Sequence, residues 1–198
     1  MKDKTGILLA YTEIGLAFAS LGGFVLRIKA GPQWGEPLFL LGLLGLSLLY
    51  ILQFGLPPAR RLSPVSGGFH LSTSLIYLVY AIGALGLTFK WMLWPEANYF
   101  LRYALMGMVA LLLVMLFQYR LATEVEWIRH YRRVLARSLV WIATVFLFYL
   151  TPFQKITRLY FPEHPAYAET FGKYLEKPQD SERKKAWQRE KARLTPSP

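Results

Sequence analysis

Glu13 is the residue of this sequence best placed to do chemistry. It stands seven residues into an apolar run, Gly6–Leu26, which is about 10 Å along a helix. An ionised carboxylate is costly in hydrocarbon, so such a group faces a partner or water. It then serves a proton or ion path, or it pairs with a cation and locks neighbouring helices together. Tyr11 and Thr12 adjoin it in sequence but point to other sides of a helix. The partners the sequence offers are Gln53, Gln118, Arg60 and Arg120. Gln53 and Gln118 close two further apolar runs and suit interhelical hydrogen bonds worth ~0.6–2 kcal/mol, or contact with a ligand.

Other chemistries find little support. The chain has 0 Cys, which excludes disulfides, thiolate metal sites and cysteine nucleophiles. His70, His130 and His164 are not spaced as a metal or haem pair. There is no phosphate-binding glycine loop, dinucleotide fingerprint or zinc-protease motif. No metal and no cofactor are expected.

The elements that must position Glu13 are set by composition. Of 198 residues, 54% are hydrophobic and 18% charged. A soluble domain runs nearer ~45–50% and ~25%, so an ordinary soluble enzyme is disfavoured. The apolar residues cluster in blocks near the ~20 residues that a bilayer demands. Spans are predicted at about 6–26, 38–56, 71–92 and 102–119. A fifth is predicted at 134–151, with Arg137 reaching back to the headgroups. A half-buried hairpin or interfacial helix is the alternative for that block. The first block reads poorly as a cleaved signal peptide, because it carries Glu13 and lacks a clear cleavage site.

The segments between the blocks carry breakers or charge. Ala30–Pro37 and Pro95–Leu101 read as hairpin loops, and Pro57–His70 as the link between hairpins. The 119–137 segment reads as a helical extension of the fourth span. Residues 1–152 thus form the bundle. Residues 153–198 form an interfacial helix ended by Pro162 and Pro165, then a basic tail that is a solvated helix or disordered. The fold class is an all-α, polytopic transmembrane helix bundle with a basic C-terminal tail.

The hairpins look like tandem copies. A shift of 63 residues places Gly23 on Gly86, Leu26 on Phe89 and Arg27 on Lys90. A shift of 65 places Gly42 on Gly107, Leu46 on Leu111, Leu48 on Leu113 and Gln53 on Gln118. Tandem units in one orientation imply a pseudo-axis along the membrane normal. The alternative is a set of general membrane devices: Arg27 and Lys90 as interfacial cations, Trp34 and Trp94 as aromatic anchors. Gly15, Ala19 and Gly23 share one face of the first span and permit close helix packing.

The run Thr88-Phe89-Lys90-Trp91-Met92-Leu93-Trp94-Pro95 resembles a family of Bacteroidetes membrane hairpins. These are the GldL-like subunits of gliding motility and type IX secretion motors, whose pattern is Phe-Lys, then His-Trp-Pro-Gly, then a Leu/Gly-rich span. The first hairpin, from Gly22-Gly23-Phe24 to Leu40-Leu41-Gly42, resembles it more loosely. The resemblance implies a shared hairpin design. Motor function does not carry over. Leu93 replaces the His, Glu96 replaces the Gly, and the spans at 38–56 and 102–119 hold no acid.

Net charge is +11, and its placement predicts topology. Nine Lys and Arg lie at the end of the bundle holding the amino terminus, among them Arg60, Arg61, Arg129, Arg132 and Arg133, against four at the other end. The amino terminus is therefore expected in the cytoplasm, as in a bacterial inner-membrane protein. Ten further cations in the tail join the opposite end if the fifth block crosses, and the nine if it does not. The expected partners are the bilayer, its anionic headgroups and other membrane subunits or further copies of the chain. Sequence-specific nucleic-acid binding has no motif behind it. The functional expectation is a non-enzymatic structural or accessory subunit of a membrane complex. The alternatives are a small transporter or proton/ion channel subunit using Glu13, and a membrane-embedded enzyme acting on lipid.

Overall fold

In the computed structural model, residues 4–30, 32–55, 67–121 and 125–194 are described. Arg60 and Arg61 lie outside them. The described residues form α1 (Lys4–Ala30), α2 (Pro32–Gly55), α3 (Gly67–Trp91), α4 (Ala97–Leu121), α5 (Val125–Leu150), α6 (Phe153–Tyr160), α7 (Pro165–Glu176) and α8 (Ser181–Leu194). The first five are long and apolar enough to cross a membrane. A helix is the economical answer for such sequences, because it satisfies its own backbone groups where no water can.

Three sequence expectations change. The Ala30–Pro37 segment is helical at its described residues, with α1 running to Ala30 and α2 starting at Pro32. Pro32 suits a first helical position, and Pro37 one turn further in removes a single amide donor. This earlier start brings Glu36 inside α2. The second hairpin turns over Met92–Glu96, with Leu93 at φ 58°. The cationic segment read as an extension of the fourth span belongs mainly to α5, which carries Arg129, Arg132, Arg133 and Arg137 on 26 residues. At that length α5, including 138–150, is long and apolar enough to cross a membrane. Beyond Pro162, α7 is a helix the sequence reading did not anticipate.

α1 packs on α2, α2 on α3, α3 on α4, and α5 on α4 with a smaller contact to α3. The most enclosed span is α3, where Ile76, Tyr80, Ala84 and Leu87 follow helical spacing into the core. On α4, Leu101, Ala104, Met108 and Met115 make the matching stripe, and on α5 Tyr131, Val134, Ser138 and Val145. The outward faces carry large apolar side chains such as Phe18, Leu48, Phe117 and Leu147, a surface suited to lipid.

The first hairpin is closed by backbone contact. A Cβ at Gly35 would sit 2.1 Å from the Arg27 amide nitrogen, and one at Gly23 2.3 Å from that of Phe39. Residues matched in the two copies also meet similar neighbours. The Gly42 position faces Leu16 and Ser20, and Gly107 faces Val79, which is 63 residues beyond Leu16.

Candidate functional site

The polar centre of the bundle forms around Glu13. One carboxylate oxygen, Oε1, accepts from the Tyr50 hydroxyl at 2.9 Å and pairs with Arg137 Nε at 3.1 Å. Trp141 Nε1 donates to the Tyr50 oxygen at 3.0 Å. Tyr80 lies 5.3 Å from the Tyr50 ring and stacks on Trp141 at 18°. Its hydroxyl shares a 2.6 Å hydrogen bond with Ser138 Oγ. α1, α2, α3 and α5 thus each contribute to one connected network.

Helical rise places the network off-centre in the membrane. Glu13 is six residues from the start of its span and Arg137 nine from the start of its own, or about 9 and 13 Å deep. Both measure from the end of the bundle holding the amino end of α1. Helical side chains lean toward their own amino ends, so Arg137 leans toward the cationic first turns of α5. The α1–α5 approach is made by side chains, through this ion pair and the Phe24–Phe148 ring contact at 6.4 Å. The pair is incompletely covered: the Arg137 side chain is 32% exposed and that of Glu13 12%.

The partners expected for Glu13 are therefore replaced. Gln118 instead accepts from Ser72 Oγ at 2.6 Å and Tyr131 at 3.3 Å, tying α3, α4 and α5. Gln53 is half-buried and has no polar partner among the described residues. Arg120, like Arg129, Arg132 and Arg133, is exposed.

The two matched cations behave differently from interfacial anchors. Arg27 is buried, paired with Glu36, and its guanidinium lies 3.8 Å from the Tyr160 ring centroid and 4.8 Å from that of Trp91. Tyr160 donates to Glu36 Oε1 at 2.9 Å and lies 2.8 Å from the Trp91 carbonyl, which joins α6 to the bundle. Burial pushes the Tyr160 hydroxyl above the usual phenol range, Arg27 opposes this, and Glu36 adds to it. Lys90 is fully buried. Its Nζ donates to the Phe148 carbonyl at 2.6 Å, the Tyr149 carbonyl at 3.3 Å and Asn98 Oδ1 at 2.9 Å. A cation at the carboxyl end of α5 satisfies carbonyls that the helix leaves unpaired. Trp34 and Trp94 are exposed, as aromatic anchors require.

The residues missed by sequence reasoning are Arg137, Tyr50, Trp141 and Glu36 as partners. Arg137 was read as a snorkelling end residue because the fifth helix was drawn too short. Tyr50 carried a signal in principle, since a tyrosine inside a span needs a partner for its hydroxyl. Among the described residues, no group of three or more His, Cys, Asp and Glu gathers to hold a metal.

Five helices long and apolar enough to cross a membrane decide the class. This chain is an all-helical, multi-pass integral membrane protein. No family model matches it, and no curated protein or solved structure was found to match.

Proposed function

We propose that this protein is a non-enzymatic structural or accessory subunit of a membrane complex. The observation that carries this reading is that Glu13, Gln118 and Lys90 are engaged by other groups of the chain, Gln53 being the exception among the described residues. Glu13 is taken by Arg137 and Tyr50, Gln118 by Ser72 and Tyr131, and Lys90 by the end of α5. Groups consumed in this way hold helices in register, whereas catalysis calls for convergent groups free to meet a substrate. A second support is α1, which packs mainly on α2 and leaves most of its surface open to other helices. The excess of Lys and Arg near the amino end supports a cytoplasmic amino terminus in a bacterial inner membrane. With that orientation, five spans would leave α6–α8 on the far side. The likeness to GldL-like hairpins supports a common hairpin design, with Lys90 turned inward.

The test is extraction from native membranes in a mild detergent, with a cysteine placed at Phe18 for crosslinking. A specific adduct larger than the 22.8 kDa chain is expected. A crosslink-free monomer under every extraction condition overturns the reading. Labelling of single cysteines at Lys2 and Arg189 with an impermeant reagent checks the orientation.

One observation favours a second reading, a proton or ion path through Glu13. The Glu13–Arg137 pair is partly open where α1 and α5 meet. In proteoliposomes, Glu13→Gln should then abolish a flux that the wild type supports; unchanged flux, or none in either, removes this reading.

A further inference from the structure

At the end of the bundle that carries the tail, a recess of about 350 Å³ opens between α4, α5 and α7. That volume lies at the lower end of the ~300–1,000 Å³ typical of small-molecule sites. Its wall holds Asn98, Tyr99 and Arg102 from α4, Tyr149 and Pro152 from the end of α5, and Glu176 from the end of α7. We propose that this recess binds the phosphate-and-ammonium head of a zwitterionic phospholipid, of the phosphatidylethanolamine class.

Depth is the first argument. The α4 span begins at Ala97 and the α5 span ends at Leu150, so the recess straddles the boundary between hydrocarbon and headgroups. Arg102 starts about 7 Å inside that boundary, but side chains on a helix lean toward its amino end, which here is the headgroup side. Its aliphatic stem then lies along lipid while the guanidinium rises to phosphate level.

Charge is the second argument. Arg102 is exposed and forms no ion pair among the described residues. A guanidinium offers the fork of donors that phosphate oxygens accept. The amino end of α4 adds a dipole of the same sign. Across the recess, Glu176 holds one long ion pair, 3.8 Å to Arg183, and stands half-exposed. A carboxylate facing a cation across a recess suits a ligand carrying both signs. A singly anionic headgroup would meet Glu176 as repulsion.

Shape is the third. Tyr99 and Tyr149 are both exposed at this level, where amphipathic rings are favoured. The floor is firm, because Asn98 and the Tyr149 carbonyl are both held by buried Lys90. A headgroup seated here would bridge α4, α5 and α7, and so join the tail to the bundle.

The same chemistry exists in free glycerophosphoethanolamine, so the experiment carries both sources. The full chain is delipidated in detergent and titrated with phosphatidylethanolamine, phosphatidylcholine or phosphatidylglycerol, and separately with glycerophosphoethanolamine, with retained ligand read by native mass spectrometry. The expected result is preferential retention of phosphatidylethanolamine, at least several-fold over phosphatidylglycerol. Arg102→Gln should abolish retention of every phospholipid, and Arg102→Lys should restore part of it. Glu176→Gln should keep binding but remove the preference, while Arg183→Gln, which removes Glu176's ion-pair partner together with the Arg183 contacts to Asp180 and the Lys173 carbonyl, should leave the preference intact. Retention of glycerophosphoethanolamine alone would replace the lipid by a soluble ligand and overturn the lipid assignment. Equal retention of the three lipids, or an Arg102→Gln variant that binds like wild type with an unchanged helical spectrum, overturns the site.

Discussion

Replacing Glu13 by Gln should uncouple α1 from α5 at a cost that the structure sets. The carboxylate joins Arg137 at 3.1 Å and Tyr50 at 2.9 Å through the same oxygen. Removing one partner of a fully buried pair costs about 3–5 kcal/mol, mostly because the other charge is left unpaired. Arg137 keeps a third of its side chain exposed, so part of that penalty is relieved by water or headgroups. The cost of an Arg at the centre of a span, ~2.5–3.5 kcal/mol, caps what remains. Glu13→Gln should therefore lose about 2–3 kcal/mol. Arg137→Gln should lose a similar amount, since Glu13 is the better covered of the two. The double variant has no orphan charge and should come within about 1 kcal/mol of the wild type, so that the two single losses exceed the double loss by about 3–5 kcal/mol, which is the coupling. The assay is unfolding by a denaturing detergent in mixed micelles, followed by far-ultraviolet circular dichroism for all four proteins of the cycle. A coupling below about 0.5 kcal/mol would mean independent sites, and the ion pair would not be the lock described.

Gly23→Ala or Gly35→Ala should force the first hairpin apart and cost at least 1–3 kcal/mol, whereas Gly15→Ala and Gly22→Ala, with nothing within 4 Å, should be neutral or stabilising by up to ~1 kcal/mol; the same detergent titration separates the two groups. Lys90→Met removes three hydrogen bonds but also a buried charge, so a net loss of about 1–3 kcal/mol is expected. Faster hydrogen exchange around the α5–α6 junction would mark it, and unchanged exchange would count against the capping role. Tyr160 has a raised pKa in the folded chain, so its contribution is complete below the ordinary phenol value of ~10 and is lost as pH rises beyond it. Alkaline titration should release the tail to protease, and Tyr160→Phe, already weaker by about 1 kcal/mol, should lack that pH-dependent step.

Much of the architecture was legible in the residues themselves. Apolar runs of about 20 residues become helices in a bilayer, because a helix pairs the backbone groups within its own segment. Five such runs and the cost of Glu13 in hydrocarbon follow from residue type and spacing. Helix ends were less legible. Pro37 looked like a loop residue, yet α2 starts at Pro32 and carries Pro37 inside its second turn, at the loss of one backbone hydrogen bond. The arginines of 129–133 read as an extension of the fourth span and Arg137 as the snorkelling start of the fifth, yet a cation inside a span is tolerated when an acid on another helix meets it, as Glu13 meets Arg137.

Partner choice was decided by tertiary structure alone. Periodicity tells which face of a helix a side chain occupies, but not which helix stands opposite. Tyr50 reaches Glu13 because α2 packs on α1 through close backbone contacts such as Gly23 with Phe39, and Arg137 reaches it because α5 packs on α4 and α3 and so returns toward α1. The same holds for Arg27 and Lys90. Sequence fixes their charge and their place near the ends of α1 and α3. Only the arrival of α6 over Trp91, and of the end of α5 over Lys90, turns two cations expected at the interface into buried ones. Charge, length and hydropathy act locally along a chain, whereas an ion pair or a cap needs two segments brought together, and that depends on how whole surfaces fit.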